Sequence, residues 1–175
     1  MKKKVVIALC LVIITTCQTL FSNDNVKDEI PTIEVSNLTL FHSEKGVTKV
    51  KVHTKKALRY KNNNIILPTG LNAVLYDNEQ AEQVHLTADY LIYIAAEKIC
   101  KLQGNILIKS CQAHQQLYTS ELNYNIVTEE FYTDSPVTLD DKQNILRGNG
   151  LKATKDLTHY TIINPRGNMD VQDEN

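Results

Sequence analysis

From Ile33 onward, apolar and polar residues alternate along most of the chain, with β-branched and aromatic side chains prominent at the apolar positions. A period of two puts successive side chains on opposite faces of an extended strand. Strands are therefore predicted at 37–41 ("NLTLF"), 47–54 ("VTKVKVHT"), 64–68 ("NIILP"), 71–76 ("LNAVLY") and 105–109 ("NILIK"). Four more are predicted at 130–133 ("EFYT"), 136–140 ("PVTLD"), 144–148 ("NILRG") and 159–164 ("HYTIIN"). Turn-prone pieces separate them: "RYKNNN", "LPTG", "YDNEQ", "TDSP", "DDKQN" and "NPRG". No window sustains a helical stripe over three turns, and "AAEK" at 95–98 is too short to nucleate a helix. The predicted fold class is all-β.

The pattern also restates itself. Ala57, Ala88, Thr119 and Gly150 follow one another at intervals of 31, and all are small. Three residues beyond them stand Tyr60, Leu91, Leu122 and Ala153; five beyond stand Asn62, Tyr93, Tyr124 and Lys155. Leu75, Ile106 and Val137 lie eighteen beyond the first three. An interval of 31 holds two strands and two turns, a rung that cannot bury its own apolar face and must stack on its neighbours. The plainer alternative is the loose self-similarity of any all-β chain at twice its strand length.

The front of the chain differs. Three lysines precede twelve uncharged, mostly apolar residues, Val5 to Thr16, and then Cys17. That is the layout of an export signal, shorter than the roughly 20 apolar residues of a membrane span. "IITTC" is similar to a lipobox, in which cleavage precedes a cysteine that then carries lipid. Three readings stand: a lipid anchor on Cys17, a short uncleaved anchor, or plain secretion. The first two place the remainder outside the cytoplasm, tethered to a membrane. The organisation expected is signal or anchor at 1–17, polar linker at 18–32, β-domain at 33–167 and polar tail at 168–175.

Beyond Cys17 the chain carries 16 Lys and Arg against 20 Asp and Glu, a net charge of −4, and its basic residues come in pieces no longer than 53–56. That argues against a nucleic-acid partner, which needs clustered cations. Cys100 and Cys111 flank one extended run; eleven strand residues span about 35 Å, against about 5.5 Å between bridged Cα atoms. Unless the chain folds sharply at Gly104–Asn105, they are two small, semi-apolar residues rather than a disulfide.

Candidate chemistry is sparse. His42, His53, His85, His114 and His159 form no metal-binding spacing, and "RGNG" at 147–150 lacks the following helix of a phosphate loop. Glu129–Glu130 and Asp140–Asp141 are adjacent pairs beside turns, which strand geometry points apart. Nothing reads as catalytic. An open stack of β-rungs offers two other things: an apolar inner face able to form a trough for acyl chains, and unpaired edge strands able to take on strands from other proteins.

Three segments, "LTADYLIYIAAEKICKLQGNILI", "LYTSELNYNIVTEEFYTDSPVTL" and "ILRGNGLKATKDLTHYTI", resemble the LptC family. The cues are "L-x-G-N-I" at 102–106, "L-x-T-x-x-L-x-Y" at 117–124, "T-D-x-P-V" at 133–137, and "G-x-G-L" at 148–151 followed by "Y-x-I" at 160–162. The likeness spans 33–167. It implies a twisted, V-shaped β-jellyroll, anchored on the periplasmic side of the inner membrane, whose interior accepts the acyl chains of lipopolysaccharide. It implies as partners the inner-membrane ABC transporter of the export system and a periplasmic LptA-like protein, with no cofactor. On that resemblance, the trough-lining residues are expected to be Leu75, Leu91, Tyr93, Ile106, Leu122, Tyr124 and Val137. The partner edges are expected to carry Val35, Leu38 and Leu40 at one end, and Leu157, Tyr160 and Ile162 at the other. Gly148 and Gly150 are expected to permit a bend. Set against this is a tethered structural or adhesive β-module without a ligand.

Overall fold

The structure is a computed structural model that describes residues 30–141 and 144–168. The expected anchor, Cys17, most of the linker and most of the tail lie outside the described residues. The domain is all-β. In chain order its strands are β1 (Ile33–Glu44), β2 (Val47–Arg59), β3 (Ile65–Leu67), β4 (Leu71–Tyr76), β5 (Glu82–Ala88) and β6 (Tyr90–Ile94). There follow β7 (Ile99–Ser110), β8 (Gln115–Asn125), β9 (Glu130–Asp140), β10 (Ile145–Thr154), β11 (Tyr160–Ile162) and β12 (Arg166–Asn168). All pairings are antiparallel and join them into one 12-stranded sheet.

The register reveals a simpler plan, a meander of long passes that bend midway. β3 and β4 are one pass against β2, interrupted at 68–70, and β5 and β6 are one pass interrupted at Asp89. β7 and β8 slip between Gln103 and Ile106, β8 and β9 between Thr119 and Asn123, and β9 and β10 between Asn149 and Leu151. These irregularities sit abreast, so the sheet folds along a row of corners. A bulge adds a residue to one strand and bends it; a row of them doubles the sheet on itself. One layer holds 47–54, 71–76, 82–88, 106–110, 115–119, 136–140 and 145–149. The other holds 57–59, 65–67, 90–94, 99–103, 121–125, 130–133 and 151–154.

The corners interrupt the ladder, and short side chains take up the freed backbone groups. Thr54 Oγ1 donates to Gly70 O at 2.7 Å, and Thr119 Oγ1 to Pro136 O at 3.0 Å. Thr133 Oγ1 accepts from Ser135 N at 3.0 Å. Asp89 N donates to Gly104 O at 3.0 Å, while Asn105 Nδ2 donates to the Asp89 carboxylate at 2.6 Å. Gly70, at φ +77°, lies so close to the next pass that a Cβ there would stand 2.3 Å from Ala88 O.

This row accounts for the repeat of 31. Ile106 pairs with Thr119, Thr119 with Val137, and Val137 with Gly148, while Leu71 pairs with Ala88. Every second pass runs in the same direction, so corner residues recur after two strands and two turns. Leu75 is out of phase: Leu71 holds the place beside the corner, and Leu75 stands four residues up the strand. Gly150 takes a φ of +100° where β10 bends.

One turn assignment changes: "TDSP" is not a connection but the kink inside β9. "NPRG" begins in the turn between β11 and β12, and its Arg166 and Gly167 already belong to β12. Conversely, hairpin turns close without glycine or proline at 95–98, 111–114 and 126–129, with Lys98, His114 and Glu129 at positive φ. Between the layers lies one apolar core that includes Val84, Leu86, Leu102, Ile106, Ile108, Leu117, Leu122, Phe131 and Leu139. β7 runs from Ile99 to Ser110, setting Cys100 and Cys111 at opposite ends of the strand.

Candidate functional site: the cleft between the layers

The two layers do not meet everywhere. Where β2, β4 and β5 face the ends of β7, β8 and β9, they leave a cleft of about 770 Å³. One wall is Val50, Val52, Leu71, Ala73, Leu75 and Leu86; the other is Leu91, Cys100, Leu102, Tyr124 and Phe131. Alternation on strands puts these residues on the inner faces, because i and i+2 point together. Tyr124 and Phe131 pair across β8 and β9 with ring centroids 4.8 Å apart.

The walls carry no charge near neutral pH. Burial pushes the Cys100 thiol up to about 11. Burial first, then the Glu129 carboxylate and Cys100, push the Tyr124 hydroxyl up to about 12. Polar groups gather at the rim: His42, Glu44, Lys49, Asp77, Asn78 and Gln83 on one lip, Glu129, Lys155 and Asp156 on the other. Lys155 pairs with Glu129 at 2.8 Å, and Lys49 bonds to the Asn78 side-chain oxygen. Burial alone would raise the Asp156 pKa; hydrogen bonds from Thr154 and Thr158 outweigh it and hold the carboxyl below its ordinary value.

Of the seven expected trough residues, the structure brings Leu75, Leu91 and Tyr124 into this cleft. Ile106, Leu122 and Val137 lie elsewhere, sealed at 1–2 % exposure in the core. Tyr93 is half-buried against that core and does not line the cleft. Distance from the corner row does not sort them: Leu71 and Leu102 stand beside it and line the cleft, while Val84, paired with Leu75 farther out, is sealed. Sequence reasoning missed Val50, Val52, Leu71, Ala73, Leu86, Cys100, Leu102 and Phe131. Their alternation was visible, but which end of the folded sheet stays open was not.

The sheet has two edges. β1 pairs only with β2 and is exposed except at half-buried Leu38; Val35, Leu38 and Leu40 lie on it, opposite Ala57, Thr54 and Val52, and so share the inner face. At the other side β11, with Tyr160 and Ile162, and β12 each pair only with β10. Leu157 is not on that edge. It lies in the loop between β10 and β11, 1 % exposed, because its side chain belongs to the core. Among the described residues no group of His, Cys, Asp and Glu is placed to hold a metal ion, and no helix is long and apolar enough to cross a membrane.

The fold and its cleft define a bent-sheet β-jellyroll with an apolar mouth and two open edges. Residues 5–169 match the family described as "Lipopolysaccharide-assembly, LptC-related", and the chain belongs to that family. Its role is therefore in lipopolysaccharide transport. Among curated proteins, none matches the chain.

Proposed function

We propose that the domain is held at the periplasmic face of the inner membrane, through lipid on Cys17 or a short N-terminal anchor, and that its cleft receives acyl chains of lipopolysaccharide. It takes them from the inner-membrane ABC transporter and hands them to an LptA-like protein. β1, with Val35, Leu38 and Leu40, is the edge on the transporter side; β11, with Tyr160 and Ile162, is the edge that takes on the next protein's strand. No bond is made or broken here, so the chain works as a binding relay and not as an enzyme. The observation that carries this reading is the uncharged cleft between the layers, in which each buried methylene contributes about 0.8 kcal/mol.

A second reading has one observation behind it. Ile106, Leu122 and Val137 are sealed, as they would be in a purely structural module. The test separates the two. A photo-crosslinking residue is placed at Leu75 or Tyr124 of the full chain in a Gram-negative host, with exposed Lys101 as control. A lipopolysaccharide adduct at the cleft positions and none at Lys101 supports the relay. A folded chain that gives no adduct at either cleft position leaves the structural module.

A further inference from the structure

The sheet ends on an edge that carries two arginines side by side. β12 pairs with the first half of β10, and the register sets Arg166 directly opposite Arg147. Arg147 also stands opposite Thr138, which lies between buried Val137 and Leu139, so both arginines are on the outer face. Both are exposed, and among the described residues neither lies within ion-pair distance of a carboxylate. Like charges directly opposite each other on one face of a sheet are destabilising. Among the described residues, this is the one place where the register sets two permanent like charges against each other.

Other outward charges on neighbouring strands meet as complements. Glu34 pairs with Lys56 at 2.7 Å between β1 and β2, and Glu130 with Lys152 at 3.1 Å between β9 and β10. The arginine pair differs in where it stands: β12, like β11, has a neighbouring strand on one side only. His159 O, Ile163 N and Ile163 O all bond to β10, so by alternation Tyr160 and Ile162 turn their backbone N–H and C=O groups to the open side. Their side chains lie on the inner face, opposite buried Ala153 and Leu151. A strand laid along this side therefore meets apolar side chains on the inner face and two guanidinium groups without a counter-charge on the outer one.

We propose that this edge selects its strand by charge, taking an extended segment with an aspartate or glutamate on the outer face beside Arg166 and apolar residues on the inner face beside Tyr160 and Ile162. The proposal rests on the reading that this edge takes on another protein's strand. Cross-strand partners have Cβ atoms about 4.5–5.5 Å apart, so a carboxylate beside Arg166 is within reach of its guanidinium fork. It relieves a repulsion that the free chain carries. A lysine or arginine in the same place would instead put a third like charge in the row, which turns away strands of the wrong sign.

The test uses the full chain in detergent micelles, with a donor strand appended after Asn175 through a flexible Gly/Ser linker that holds it near the edge at about millimolar effective concentration. The donor carries two valines spaced to meet Ile162 and Tyr160 and, at the place facing Arg166, either glutamate or lysine. Hydrogen exchange at the Tyr160 and Ile162 amides is the readout. The glutamate donor is expected to slow it about tenfold relative to the chain without a donor. With the lysine donor exchange should be about fivefold faster than with glutamate, a difference that narrows as salt is raised. Arg166→Glu, checked as folded by circular dichroism, should reverse the preference, and Arg166→Lys should keep it. Equal slowing by both donors overturns the charge selection and leaves the edge reading standing. No slowing by either donor overturns both. Faster exchange at these amides when 169–175, "MDVQDEN", is deleted from the chain without a donor would put the chain's own acidic tail in that place and overturn an outside strand as its occupant.

Discussion

Gly70→Ala tests the row of corners, with Gly46→Ala as its partner. Both glycines are left-handed, Gly70 at φ +77° and Gly46 at φ +82°, so an alanine meets a similar backbone penalty of about 1–2 kcal/mol at each. Space separates them. Around Gly46 nothing lies within 4 Å of the new Cβ. At Gly70 the Cβ would stand 2.3 Å from Ala88 O and 3.0 Å from Asp89 Cα, which are backbone atoms of the adjoining pass that cannot rotate away. Gly70 O is also the acceptor for buried Thr54, so a shift of the chain loosens that bond. Overpacking adds about 1–3 kcal/mol, and a weakened buried hydrogen bond about 1 kcal/mol. Gly70→Ala should therefore lose about 3–6 kcal/mol, against about 1–2 for Gly46→Ala. Urea unfolding followed by far-UV circular dichroism gives both values, and in melting temperature each kcal/mol is a few degrees for a domain of this size. Equal losses would refute the reasoning, since the corner would then have room that tight folding of the sheet denies it.

Three further outcomes follow from the same geometry. Ile106→Glu places a charge at a 1 %-exposed position and should unfold the domain at a loss of about 3–5 kcal/mol, whereas Leu75→Glu, on the half-buried cleft wall, should keep the fold by circular dichroism and lose lipid adducts. At pH 8 a thiol reagent should modify exposed Cys111 quickly and Cys100 slowly, because burial holds the Cys100 thiol up near 11; filling the cleft should slow Cys100 further, and equal rates for the two would contradict its placement. Tyr124 titrates near 12, above the ordinary value of 10, so its contribution to stability is whole below pH 10 and is lost as pH rises toward 12; in urea titrations across that window Tyr124→Phe should lose less stability than wild type.

Strand content was legible because period two survives wherever one face is buried. "LNAVLY" coincides with β4, and the polar run 77–81 is its turn. The corners were legible only as an unexplained repeat. Small residues spaced by 31 marked where each second pass bends, but a bend inside a strand and a turn between strands use the same residues. In sequence "TDSP" therefore reads as a connection, although its threonine and serine tie a kink. The turns at 95–98, 111–114 and 126–129 were not marked, because lysine, histidine and glutamate take the left-handed position where glycine would have signalled it. The core was half legible. Alternation selects the inner face without telling which part of it is sealed, so Ile106 and Leu75 looked alike in sequence.

That difference is where function enters the fold. Most inner-face residues of a doubled sheet are apolar for the same reason, yet the two layers do not meet everywhere. Ile106 and Val137 are sealed in the core and hold the sheet folded. Leu75, Leu91 and Tyr124 face across a gap that their own layers do not fill. Beside β2 the inner face continues onto β1, where Leu38 and Leu40 stand beside Thr54 and Val52. β1 buries little, so its apolar inner face adds to the core only if something lies against it. A domain built for stability alone would close the sheet there. Here the same bend that makes the core leaves one apolar surface running from the cleft to an unpaired edge, as the proposed acyl-chain relay requires.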